Sequence, residues 1–150
     1  MPDQTEESIA KRKSWMSTLA KGKSASIGKL FPDLPVYEVI RAPETGTVMV
    51  RGRTGGTGAS FNLGEMTVTR CAVRLPDGTT GHGYVQGRDG EHATRAAIID
   101  ALMQGVDAER VAAEVIAPLE AEFEASRQSR AEKAAATKVD FFTMVRGEDQ

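Results

Sequence analysis

The sequence predicts an α+β fold, a four-stranded antiparallel sheet packed with N-terminal and C-terminal helices. Three observations lead there. Eleven of the fifteen glycines lie between Gly46 and Gly90, where β-branched and polar residues alternate in short runs, the pattern of strands and turns. On both sides of that stretch apolar residues recur at near-helical spacing. Pro76-Asp77-Gly78 is a strong turn signal between two of the strand-like runs.

The elements follow in order. Ile9, Trp15, Met16 and Leu19 sit among charged residues at helical spacing, which predicts an amphipathic helix over 5–21 with Gly22 as its stop. A short helix over Ser24 to Phe31 should end at Pro32-Asp33-Leu34-Pro35. Val36 to Arg41 and Thr47 to Arg53 read as two strands joined through Ala42-Pro43-Glu44-Thr45-Gly46. Met66 to Leu75 and Thr80 to Gly87 read as two more, joined by the Pro76-Asp77-Gly78 turn. Val48 and Val50 share one face of their strand, and Thr67, Thr69, Cys71, Val73 and Leu75 share a face of theirs. Gly81, Gly83 and Gly87 also fall on one alternating face, which implies close packing beneath a helix.

From Asp89 the period returns to about 3.6, with Ala93, Ala96, Ala97, Ile99, Leu102 and Met103 as the apolar stripe, Asp89 as N-cap and Gly105 as stop. Asp107 is placed to cap a further helix bearing Val111, Val115 and Ile116, which Pro118 should kink or restart. Residues 119–138 are rich in alanine, glutamate and arginine, an easy helix with little apolar surface. The organisation is one α+β domain over 1–138 and an apolar tail over 139–150. That tail holds Phe141, Phe142, Met144, Val145 and Arg146, and termini are ordinarily polar and loose. Two readings stand: it folds back as an edge strand, or it docks in another chain by strand addition or in a groove.

Composition narrows the function. At 150 residues the chain has the size of one domain and needs no staple. A formal net charge of −2, from 19 basic and 21 acidic side chains, argues against a general nucleic-acid or membrane-surface binder. The aromatic supply for base stacking is also thin, with only Phe61 and Tyr84 in or beside the sheet after Tyr37. Cys71 is the single cysteine, so no intrachain disulfide can form and a cytoplasmic setting is expected. No metal site is expected, since His82, His92 and Cys71 supply at most part of a shared one. No apolar run approaches the roughly 20 residues that span a bilayer, and the N-terminus lacks a signal-peptide layout.

The chemistry concentrates between Arg51 and Gly64. Arg53, Gly55, Gly56, Thr57 and Gly58 form the core of a glycine-rich loop, whose amides can turn inward as an anion-binding nest. Arginine adds a planar fork matched to phosphate, phosphonate or carboxylate oxygens. The loop is neither a Walker loop nor a dinucleotide fingerprint, and its plain alternative is a long hairpin connection without a ligand. All seven basic residues from Arg41 to Arg95 are arginines. Arg51, Arg53, Arg70, Arg74 and Arg88 therefore suit anion recognition or interface pairs, against a plain reading of cross-strand ion pairs on a solvated face. His92 lies just after a strand end, where it either transfers protons or hydrogen-bonds in the first helical turn. Glu44 is a second candidate for proton transfer, without a partner carboxylate or activated nucleophile by motif.

Four segments carry a family resemblance: Tyr37 to Gly46, Gly55-Gly56-Thr57-Gly58, Tyr84 to Asp89, and Asp140 to Gly147. Together they resemble the phosphonate metabolism protein PhnG family, the G subunit of the carbon-phosphorus lyase core complex, in the same order and spacing from about Trp15 to Asp149. The resemblance implies a cytoplasmic bacterial subunit present in two copies in a symmetric complex with the H, I and J subunits, alongside the ATPase-like K and L proteins. It implies that G, H and I, with L, support attack of a phosphonate on ribose C1 of MgATP. Adenine leaves, and ribose 1-phosphonate 5-triphosphate goes on to the J subunit. The implied iron-sulfur cluster and S-adenosylmethionine belong to J, MgATP is a substrate of the assembly, and no cofactor is expected on this chain alone. The chain would be a required partner without activity of its own. The rival expectation is a free-standing anion-binding transferase using Gly55 to Gly58 and His92.

Overall fold

The computed structural model describes the chain from residue 4 to residue 148, with side chains through residue 138. Helix α1 (Gln4–Lys21) and helix α2 (Ser24–Leu30) come first, separated at Gly22 as the spacing predicts. Three strands follow: β1 (Glu38–Arg53), β2 (Ser60–Arg74) and β3 (Thr80–Gln86), then α3 (Gly90–Met103). Helix α4 (Ala108–Val111) runs through a widened turn, Ala112–Ile116, into α5 (Ala117–Glu148).

The described residues form a three-stranded antiparallel sheet in the order β1-β2-β3, which corrects the expected four strands. Ala42 to Gly46 is not a hairpin connection. The chain passes straight through it as part of one sixteen-residue strand, with a register irregularity between Arg41 and Glu44 where Ala42 and Pro43 have no partners in β2. An edge strand tolerates proline at such a bulge because no ladder donor is lost. Gly46 lies opposite Val68 and lacks the positive φ a tight turn would require. The reversal comes instead at the glycine loop, where Gly55 and Gly56 have φ of 63° and 82°.

Helix α3 lies on the face of the sheet that carries Thr69, Cys71 and Val73. A methyl group at Gly81 would overlap the Ala97 carbonyl, and one at Gly83 the Ala93 carbonyl, so these two glycines let the helix backbone rest directly on β3. Gly87 does something else: nothing lies over it, and its φ of 90° serves the exit from the strand. On its other side α3 meets Leu19 of α1, Ile27 and Phe31 around α2, and Val111, Val115 and Leu119. Each fully buried Ile, Leu or Val contributes roughly 1.5–3 kcal/mol by leaving water.

One polar network joins these layers. Asp100 on α3 is fully buried and accepts from Arg12 Nε at 3.2 Å, Arg12 Nη2 at 2.9 Å and Trp15 Nε1 at 2.8 Å. It also accepts from the backbone amide of His82 at 2.9 Å, which closes the outer edge of β3. The carboxylate raises the Arg12 pKa further above its usual range, chiefly through their hydrogen bond.

Just ahead of Pro118 the helix opens into the widened turn and restarts as α5 at Ala117, with helical backbone angles at Val111, Ala112 and Ala117. The widened turn just before it relieves the clash of a proline ring with the carbonyl four residues back. Helix α5 is tied to the body by Ser26 Oγ donating to Glu122 at 2.7 Å and by Lys21 Nζ 5.5 Å from the Phe123 ring centre. Past Phe123 its described side chains are exposed apart from a half-buried Ser126. The backbone stays helical to Glu148, so the tail is no edge strand. The side chains of Phe141, Phe142, Met144, Val145 and Arg146 lie outside the described residues.

Candidate functional site

Strand pairing sorts the predicted site residues into separate groups. Arg53 ends β1 opposite Ser60, and beyond it the tip is closed by the Gly58 amide donating to the Thr54 carbonyl at 2.8 Å. A side chain at Gly58 would strike that carbonyl, and Gly55 and Gly56 occupy left-handed backbone conformations. The glycines thus have a geometric reason within the hairpin itself. Thr57 and its neighbours are exposed.

Arg70 belongs to a second group. It lies on the face opposite α3, in a row with Glu44 of β1 and Tyr84 of β3. The next rows on that face place Arg41 beside Ala72 and His82, and Glu38 beside Arg74 and Thr80. Arg74 Nη1 is 3.7 Å from Glu38 Oε2, a solvated cross-strand pair. Glu44, Arg70, His82 and Tyr84 are all exposed, so this face forms a mixed charged surface of arginines, carboxylates, a histidine and a tyrosine. Ten residues of strand separate Arg70 from Ser60, about 30 Å at the usual rise. The fold therefore does not bring the glycine loop to the other arginines.

Arg88 is exposed in the connection from β3 to α3. That connection is anchored by Thr69 Oγ1 donating to the Gly87 carbonyl at 2.6 Å, with Thr45 Oγ1 3.0 Å from the same hydroxyl. Asp89 caps α3, accepting from the His92 amide at 3.1 Å. That bond, with help from the Ser24 hydroxyl, holds the Asp89 carboxyl below its usual range. His92 itself is 5% exposed, and its Nε2 lies 2.8 Å from the Leu19 carbonyl. A carbonyl only accepts, so Nε2 carries a proton and tethers the end of α1 to α3. Cys71 is buried beside Thr94, with Sγ 3.7 Å from Oγ1, and burial pushes its thiol pKa up.

Among the described residues no three His, Cys, Asp or Glu side chains gather as a metal site would require. No described helix is long and apolar enough to cross a membrane. A groove of about 910 Å³ runs between α1 and the α4–α5 segment, and its lining includes Ile9, Arg12, Trp15, Met103 and Ile116 but no predicted site residue. Sequence reasoning missed the Asp100 network. Its one signal was an aspartate inside the apolar run Ile98-Ile99-Asp100-Ala101-Leu102, where a charge needs partners.

An open sheet face, a long exposed hairpin and a projecting helix define a chain built to present surface to other molecules. Residues 10–147 match the family described as phosphonate metabolism protein PhnG, and the chain belongs to that family. It is 47% identical over 148 residues to the alpha-D-ribose 1-methylphosphonate 5-triphosphate synthase subunit PhnG of Rhizobium meliloti (strain 1021), covering 94% of this chain and 92% of that protein.

Proposed function

We propose that this chain is the G subunit of a carbon-phosphorus lyase core complex, required with the H and I subunits and the L protein for making ribose 1-phosphonate 5-triphosphate. A phosphonate oxygen attacks ribose C1 of MgATP, the glycosidic bond to adenine breaks, and adenine leaves with a proton. The observation that carries the reading is 47% identity, over nearly the whole chain, to a protein named as a synthase subunit. The geometry supports a supporting role: His92 is buried and bonded to Leu19, and Glu44 stands exposed beside Arg70 without an activated nucleophile. The I, H and J subunits are the direct partners, with two copies of each in a symmetric assembly.

The tail at 139–150 docks in a partner. Helix α5 carries it away from the domain: from Glu124 to Glu148 the helix extends about 37 Å at 1.5 Å per residue. Arg53 and Arg88 then serve either the triphosphate or a subunit contact. Co-purification tests the proposal, with this chain expressed beside I, H and J, with and without residues 139–150. Adenine release from MgATP and methylphosphonate is then followed after adding L. Stoichiometric recovery, lost on truncation, is expected, with adenine released only by the assembly. Turnover by the isolated chain, or its recovery alone, overturns the reading. Arg53→Ala and Arg88→Ala sort the two arginine roles: activity lost in an intact complex marks an anion site, and lost assembly marks an interface.

A further inference from the structure

We infer that the outer edge of β1 from Thr47 to Arg53 receives an extended segment of a partner polypeptide as an additional strand, one carrying carboxylates to meet Arg51 and Arg53. This rests on the subunit reading above and names the element through which the domain itself, apart from its tail, is held.

The two edges of the sheet are treated differently. The β3 edge is closed, with α1 packed along it and the His82 amide bonded to Asp100. The β1 edge has no strand beside it among the described residues. Its first half carries features that discourage pairing: Pro43, the irregularity between Arg41 and Glu44, and three charges, Glu38, Arg41 and Glu44. Its second half begins Thr47-Val48-Met49-Val50, with neither proline nor charge. An unprotected edge next to a protected one is what strand addition requires.

The same segment is short of support. Beyond the row Gly46, Val68 and Gln86 the sheet loses its third strand and continues as a two-stranded ribbon. Such ribbons are marginal in water. This one exposes apolar side chains on both faces: Met49 opposite Glu65 on one, and Leu63 across Gly52 beside Phe61 on the other. Met49 is 52% exposed and Leu63 61%. Charge identifies the occupant. The ribbon beyond that row carries two arginines, both on β1, and one acid, Glu65 on β2, so its β1 edge is net positive and attracts a carboxylate-bearing segment in preference to a second copy of itself. A small anion would satisfy the arginines but leave the apolar side chains and the free amides uncovered.

The experiment is amide hydrogen exchange resolved residue by residue in the full chain, free and in the complex purified with I, H and J. Alternate amides of 47–53 point away from β2 and exchange quickly in the free chain. Strand addition slows those amides at least about tenfold, and Arg51→Glu with Arg53→Glu weakens assembly by about tenfold with the tail intact. An intact complex in which these amides exchange as in the free chain overturns this inference and leaves the subunit proposal standing. Failure of any complex to form overturns both. Protection of 47–53 by MgATP alone, or by self-association of the free chain, also overturns it.

Discussion

Replacing Asp100 by alanine should loosen α1 from the rest of the domain. The carboxylate is fully buried and ties α3 to two other elements, to α1 through Arg12 and Trp15 and to β3 through the His82 amide. Arg12 keeps 36% of its side chain exposed and can turn to water. Trp15 Nε1 and the His82 amide are part-buried against this carboxylate, and a buried donor left without an acceptor costs about 1–3 kcal/mol. The total, about 3–5 kcal/mol, agrees with the usual cost of removing one partner of a buried ion pair. For a chain of this size each kcal/mol lowers Tm by about 2–4 °C, so thermal unfolding followed by circular dichroism should show a drop of about 6–20 °C. Trp15 is the only tryptophan, and its emission should move to the red before global unfolding as α1 lifts. Asp100→Asn, with an amide nitrogen facing donors, should recover only part of the loss. A drop below about 2 °C with unchanged emission would refute the argument, because α1 would then rest on apolar packing alone.

Gly83→Ala should destabilise by about 1–3 kcal/mol in urea unfolding because its methyl strikes the Ala93 carbonyl, whereas Gly46→Ala, with open space around it, should be neutral or stabilising by up to about 1 kcal/mol. A strongly destabilising Gly46→Ala would restore a turn at that point and break the single-strand reading of β1. The depressed Asp89 pKa gives a signed pH effect: the stability it adds is present above the unfolded carboxylate pKa and is lost as pH falls through the lower folded value. Asp89→Asn should keep the cap, and its unfolding free energy should decline less below about pH 4 than that of the wild type. Cys71, 2% exposed and with its thiol pKa raised by burial, should resist iodoacetamide at pH 8 until urea unfolds the chain, and modification at the native rate of a free thiol would contradict its burial.

Local pattern was sufficient for much of this protein. The limits of α1 and α2, the Asp89 cap and the Pro76-Asp77-Gly78 turn were legible because each depends on residues a few positions apart. The small-residue face of β3 was legible too, since Gly81 and Gly83 have no other reason to alternate. Family membership also lay in the order and spacing of short segments. The strand count did not. Pro43 and Gly46 carry the same local signals in a turn as in a bulged edge strand, and only the pairing with β2 over the whole of β1 chooses between them. The tail likewise carries apolar residues suited to a strand, yet it continues α5, whose alanine-rich approach propagates helix at little entropic cost. The candidate site divided for the same reason. In sequence Arg53, Arg70, Arg88 and His92 form one arginine-rich neighbourhood; in space an extended hairpin carries Arg53 about 30 Å from Arg70, and the close packing of α1 on α3 turns His92 inward to the Leu19 carbonyl. Sequence determined which residues were available for chemistry and contact, and long-range packing decided which of them face solvent together.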